Sequence, residues 1–335
     1  MCSVRGLFHG LRMAIAEAAS LTLLFGIGTV TAANAQTNFP ERPIRIVIPF
    51  GPGGIADIHT RILADGLSQR LAKPIVVENK AAGFGVIAAR DTLNSPPDGH
   101  TLTLFSNGTA SSVSLAKNLP FDPVNDFAPI SNVVYFDFLL AVSANSQYRS
   151  LAEFIADARK SPGVLNVGTA AAGSSAHLVA ELLKQAAGID FRILSYRNAS
   201  ERTIALLRGD VAMLIDTYTV FKPQLDNNEF RLLATTTAKR VPWAPNVPTA
   251  IESGLKDFEV TSWNGIFAHA KTSPDVIKRL NAEINAVIGN PDVVSRMRIL
   301  GLEAAAGTPE ALHDRLKSDI AKWQKVIEAA NIERK

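Results

Sequence analysis

Cysteine is all but missing from this chain. The single thiol among 335 residues is Cys2, inside a segment that reads as a removable leader. The remainder therefore excludes a disulfide framework, a thiolate metal site and cysteine catalysis. A surplus of either charge is missing too. The formal net charge is +3, and it falls to +2 when Arg5, Arg12 and Glu17 leave with the leader. No basic block carries interleaved aromatics, which argues against nucleic acid as a partner. His59, His100, His177, His269 and His313 are scattered without ligand-like spacing, so no metal site is expected. No second long apolar run follows the leader, and a soluble mature chain is expected. Repeats at solenoid period and low-complexity tracts are absent.

Nucleotide motifs are lacking as well. Ala56 stands where the third glycine of Gly-x-Gly-x-x-Gly would be, and no Gly-x-x-x-x-Gly-Lys-Ser/Thr occurs. No cofactor is expected.

What is present begins with an address. Arg5 and Arg12 form a basic n-region, residues 18–30 an apolar stretch, and Ala33-Asn34-Ala35 a small-x-small cleavage site. The apolar stretch is shorter than the roughly 20 residues that span a bilayer. Cleavage after Ala35 is expected. Cys2 precedes the apolar stretch, which is the wrong place for a lipid.

The mature chain is organised around residues 44–57. Ile44-Arg45-Ile46-Val47-Ile48 reads as a buried strand, because β-branched side chains pack well on a pleated surface. Pro49 stops it. Gly51, Gly53 and Gly54 follow, and then Ile58, Ile62, Leu63, Leu67 and Leu71 form one apolar helical face. A strand, a glycine-rich turn and a helix start make a backbone anion site, since the first N–H groups of a helix lack partners and carry the positive dipole end. A tight turn that binds nothing is the plain alternative. Close approach by a ligand predicts a positive φ at Gly54.

Strands and helices then alternate. Strands are expected at 75–78, 101–105, 165–168, 191–195, 211–215 and 232–237, with a long apolar strand at 133–142 and an extended segment at 258–268. Helices are expected at 82–93, 151–160, 175–187 and 200–208. Two more are lined by Val276, Leu280, Ile284 and Ile288 and by Leu316, Ile320, Trp323 and Ile327. This order predicts an α/β fold with a mostly parallel sheet in each of two lobes. Ligands bind outside the carboxyl ends of such strands. The small polar loops at 49–57, 106–109, 169–175, 196–198 and 216–217 all sit there.

Ser174, Ser175, His177 and Asp216 suggest a hydrolase triad. No Gly-x-Ser-x-Gly elbow is present, and residues two apart on one helix do not face each other. A catalytic role is therefore disfavoured.

In their order and spacing, several blocks resemble the tripartite tricarboxylate transporter receptor family, the Bug-type periplasmic solute-binding proteins. They are Phe39-Pro40-Glu41-Arg42-Pro43-Ile44, the stretch 47–57, Val76-Val77-Glu78-Asn79, Pro97-Asp98-Gly99-His100-Thr101-Leu102 and Leu119-Pro120-Phe121-Asp122-Pro123. Pro245-Asn246-Val247-Pro248-Thr249, Phe258-Glu259-Val260-Thr261-Ser262-Trp263 and Lys322-Trp323 follow. The resemblance implies a two-lobe Venus-flytrap receptor, monomeric and periplasmic. Residues 36–140 and 256–335 would form one lobe, and 141–255 the other. The implied ligand is a small organic anion, an organic acid or acidic amino acid. The implied partners are the membrane subunits of a tripartite transporter.

By resemblance, the ligand residues are Pro49, Gly53, Gly54, Ile55, Ala56 and Asp57 in the first loop, and Ser106, Asn107 and Thr109 in the second. Thr169, Ser174, Ser175 and His177 form the third, with Tyr196 and Asp216 on the far wall. This chain departs from the family pattern at Lys80-Ala81-Ala82-Gly83-Phe84-Gly85, at Ala170-Ala171-Ala172-Gly173, at Tyr196-Arg197-Asn198 and at His59. A sensor that reports to a signalling partner uses the same constellation and stays open beside uptake.

Overall fold

The computed structural model describes residues 39–81 and 85–334. The leader, its cleavage after Ala35, and the expected helix start at 82–84 lie outside the described residues. The β-branched run forms β1 (Ile44–Ile48), buried except at Arg45. On either side of it, and parallel to it, run β2 (Ile75–Asn79) and β3 (Thr101–Ser106). The helices α1 (Ile55–Leu71) and α2 (Val86–Leu93) make the crossovers. Ile62, Leu63, Leu67 and Leu71 of α1 are buried, each contributing roughly 1.5–3 kcal/mol.

After β3 come α3 (Asn107–Leu115) and β4 (Phe127–Asp137). The second sheet is built from β5 (Leu139–Ser143), β6 (Asn166–Thr169), β7 (Arg192–Ser195), β8 (Met213–Asp216) and β9 (Phe230–Thr235), in the order β7-β6-β8-β5-β9. Its helices are α4 (Leu151–Lys160), α5 (Ser175–Ala187), α6 (Ala199–Arg208) and α7 (Tyr218–Asp226). The chain then returns through β10 (Thr261–His269), α8 (Pro274–Ile288), α9 (Pro291–Ile299), β11 (Glu303–Ala304) and α10 (Pro309–Ala329). The first sheet has the order β11-β4-β10-β3-β1-β2. Pairing is parallel among β1, β2 and β3 and among β6, β7 and β8, and antiparallel where the crossing strands join.

The chain passes between sheets twice. The apolar run at 133–142 breaks at Phe138, so β4 stays in one sheet and β5 enters the other. The return runs from β9 to β10. Thr236, fully buried, ties the two passages together. Its hydroxyl accepts from Phe138 N at 2.9 Å and donates to Val260 O at 2.6 Å. Its backbone N–H reaches Phe138 O, and its carbonyl accepts from Val260 N. A buried hydroxyl that satisfies two backbone groups holds the passages in one register.

Two local readings change, and one helix has no counterpart in the sequence reading. Ile58 is exposed, and His59 takes the buried place beside it. Residues 106–109 are not a loop; they start α3, with Ser106 as its cap. The segment after β8 is helical despite Pro223, because the proline sits in a short, mostly surface helix packed through Phe221. Trp263 and Trp323 are both buried in the main apolar core. Trp263 Nε1 donates to Asp319 at 2.7 Å, and Trp323 Nε1 donates to Asn107 Oδ1.

Candidate functional site

Strand direction decides where the polar loops gather. β10 runs antiparallel to both β3 and β4, so the ends of β3 and β4 lie on the same side of the first sheet. In the second sheet Leu139, at the start of β5, pairs with Asp216 at the end of β8 and with Thr235 at the end of β9. Both passages between sheets therefore leave from the carboxyl ends of the parallel strands. The loops after β1, β3, β6, β7 and β8 all open on that side.

The first loop, 49–54, is exposed at Gly51 to Gly54. Gly53 carries the positive φ, +76°, and Gly54 is extended with φ −77° and ψ 167°. The expectation for Gly54 thus moves one residue back. Positive φ serves the turn that aims the chain into α1, while the helix entry itself needs only extended backbone. No side chain caps α1 at Gly54. The N–H groups of Ile55 and Ala56 start a 17-residue helix at the end of a buried strand, where an anion is favoured.

Asp57 holds this loop in place. Its carboxylate accepts from Gly53 N at 2.9 Å and from Asn79 Nδ2 at 3.0 Å, and pairs with Arg61 at 2.8 Å. The Arg61 guanidinium above all, with the Gly53 and Asn79 donors, holds its carboxyl down at about 2. Both oxygens are engaged inside the protein, so the charge of Asp57 is answered before any ligand arrives. Gly85, with φ +82°, approaches Pro49 and completes the wall.

In the second loop Ser106 Oγ accepts from Gly108 N at 3.1 Å, and Thr109 Oγ1 accepts from Ser106 N at 3.2 Å. Hydroxyls used as acceptors keep their own proton to give, so this capping box can donate to an anion. Ser174 repeats the pattern by accepting from His177 N at 3.3 Å at the start of α5. Thr169 turns the other way and donates to Ala170 O. Asn107 is buried with Oδ1 held by Trp323 and no partner on Nδ2.

Thr169 and Asp216 end β6 and β8, and Tyr196 follows the end of β7; the three strands are adjacent. Tyr196 N donates to Thr169 O at 3.0 Å. Asp216 is buried, 2.5 Å from Arg202 Nε, and accepts from Thr217 N at 2.8 Å. His177 Nδ1 accepts from Gly173 N at 3.3 Å. Asp216 facing Arg202, and Ser174 acting as a cap, are not the arrangement of an activated nucleophile.

Across the sheets, a β-carbon at Gly173 would lie 3.3 Å from Leu115, so the third loop packs on the end of α3. Tyr218, at the start of α7, fills the space over Gly301. The structure thus groups the residues by sheet and joins the groups at these contacts.

Sequence reasoning missed Arg202, Thr236 and the uncapped start of α7 at Thr217. Asn198 followed by Glu201 marks the start of α6, and Arg202 one residue on was within reach of that reading. A cavity of about 660 Å³ lies elsewhere, beside the β11–β4 edge, and none of the sequence-selected residues lines it. Among the described residues no helix is long and apolar enough to cross a membrane, and no His/Cys/Asp/Glu cluster could hold a metal ion.

Comparison with known proteins agrees in both sequence and fold. The family profile described as the tripartite tricarboxylate transporter family receptor matches residues 59–332. That match begins after the first loop and does not depend on it. A Pseudomonas sp. (strain P51) protein from the tcbD–tcbE intergenic region is 37% identical over 298 residues, 89% of each chain. R. palustris Rpa4515, solved with adipate, superimposes with a TM-score of 0.78 at 31% identity, covering 89% of this chain and 100% of that one. MatC from Rhodopseudomonas palustris, solved with bound malate, gives 0.73 at 29% identity, covering 86% and 100%.

Proposed function

Since the chain belongs to the tripartite tricarboxylate transporter receptor family, a family of solute-binding receptors, we propose that it captures a small carboxylate and delivers it to transporter subunits in the membrane. The compartment is the periplasm, and the active form is a monomer that starts at Gln36. The two sheets act as lobes, hinged where Thr236 binds both passages, and the ligand lies between their loop ends. Two relatives were solved with adipate and malate, so a dicarboxylate is the first class to try.

One observation carries this reading: the uncapped start of α1 behind an exposed glycine loop. Backbone N–H groups and the Ser106, Thr109 and Ser174 hydroxyls supply donors to a carboxylate without a neutralising arginine. No chemistry is required. The receptor works by binding its ligand better when closed than when open.

Thermal denaturation with a panel of organic acids tests it. A true ligand at about 100 times its dissociation constant stabilises by about 2.7 kcal/mol, or several degrees at roughly 2–4 °C per kcal/mol. The compound should be recovered unchanged. A panel with no shift, or turnover of one member, would remove the receptor reading.

A further inference from the structure

The geometry points to a second binding site, for a small amphipathic primary amine, in the cavity beside the β11–β4 edge. That cavity, about 660 Å³, is within the range of small-molecule pockets, about 300–1,000 Å³. Its lining shares no residue with the loops after β1, β3, β6, β7 and β8 that the proposed carboxylate site uses, and β11 stands at the opposite edge of the first sheet from β2. Its wall combines the end of β4, β11, the turn before β11 and the segment after β9 that carries Trp243.

The polar feature is Asp137. It is 3% exposed, it lines the cavity, and its Oδ2 has no hydrogen-bond partner. A buried carboxylate oxygen without a donor is costly. Glu259 and Glu303 line the same space and form no ion pair among the described residues. Glu303 is close enough to disfavour charge on Asp137.

The cations of the wall do not cancel these acids. Arg315 is bound to Asp319 and to Thr261 O. Arg240 is bound to Glu252 and to Pro245 O. Lys239 and Arg298 remain in the wall and Lys322 stands beside Glu259, but no cation reaches Asp137 Oδ2. An ammonium group supplies both the missing donor and the missing charge at Asp137, as a charge-assisted hydrogen bond. The rest of such a ligand has Trp243 to lie on, a ring that Tyr218 braces at 4.3 Å between centroids. Trp263 and Trp323 are buried elsewhere, so Trp243 is the indole that can report occupancy.

The test titrates the chain from Gln36 onward with phenethylamine at about pH 8, where Asp137 is largely ionised. Heat and tryptophan fluorescence are followed together. The uncharged 2-phenylethanol and the anion phenylacetate serve as controls. Phenethylamine should bind with a dissociation constant below about 10 mM. Asp137→Asn should weaken it at least tenfold, ~1.4 kcal/mol, and 2-phenylethanol should bind wild type at least as weakly as that. Trp243→Phe should abolish the fluorescence change while heat is still released. Equal binding to wild type and Asp137→Asn would overturn the proposal. So would no binding, or an equal response to phenylacetate.

Discussion

Replacing Gly54 by valine is expected to weaken carboxylate binding at least tenfold, ~1.4 kcal/mol, and to leave the fold intact. The backbone accepts the change. Gly54 is extended, at φ −77° and ψ 167°, and an added β-carbon meets only Gly51 O, at 3.6 Å. β-branched residues favour extended backbone. The branched side chain would stand at the uncapped start of α1, where the proposed carboxylate takes the N–H groups of Ile55 and Ala56. Melting without ligand should stay within about 0.5 kcal/mol of wild type, as for other surface substitutions. Gly53→Val makes the contrast. At φ +76° a branched residue is strained, so the turn held by Asp57 should be disturbed and both stability and binding should fall. Wild-type affinity in Gly54→Val, measured by calorimetry, would remove the first loop from the site.

Asp137→Asn is expected to stabilise the protein by roughly 2 kcal/mol near pH 8 and to destabilise it by about 1–3 kcal/mol near pH 4, where the carboxyl is protonated and only the cost of the buried amide remains. Burial drives this carboxyl from its ordinary 3.8 up to about 7, and Glu303 adds repulsion. Between those values the native state holds a proton that the unfolded chain has released. Stability therefore falls as pH rises through the window, and the full loss stands above 7. A gap of that size corresponds to roughly 4 kcal/mol, from which burying an asparagine amide takes back about 1–3 kcal/mol.

His59 works in the opposite sense. Burial brings it from 6.5 down to about 4, so the unfolded chain takes up the proton first and stability is lost as pH falls through that window. The loss is about 3 kcal/mol. Where the two windows overlap, from about 4 to 6.5, the slopes cancel. Asp137→Asn should then lose about 3 kcal/mol on acidification, and His59→Gln should gain roughly 4 kcal/mol. Urea midpoints across pH give both slopes. Identical profiles for the two variants and wild type would mean that neither group changes its proton affinity on folding.

Much of this was readable from local pattern. Ile44 to Ile48 reads as a buried strand because β-branching and a stopping proline act at short range, and the paired register with β2 and β3 follows. The order of strands and helices carried the two-sheet α/β architecture. Segments whose helicity comes from tertiary packing were not readable. Residues 107–115 are rich in Ser, Gly and Thr, poor helix formers, and α3 exists because Ser106 caps it and α10 covers it. The sequence reading has no element at 218–226, where α7 forms with Pro223 inside it.

The site divides similarly. The glycine loop and polar strand ends are visible in composition, but the sharing of φ between Gly53 and Gly54 depends on the Asp57 clamp. Arg202 meets Asp216, and Asn264 meets His59 at 2.8 Å, across separations that no local pattern spans.

The proposal that backbone N–H groups at strand ends hold a carboxylate is tested most directly by amide chemical-shift mapping. The isotopically labelled chain from Gln36 onward is titrated with straight-chain dicarboxylates. The largest shifts should fall on Ile55 and Ala56 of α1, Asn107 of α3 and Ser175 and Ala176 of α5, with small shifts at Glu303 and Trp243. Shifts confined to the cavity beside β11, or none with any member of the series, would contradict it.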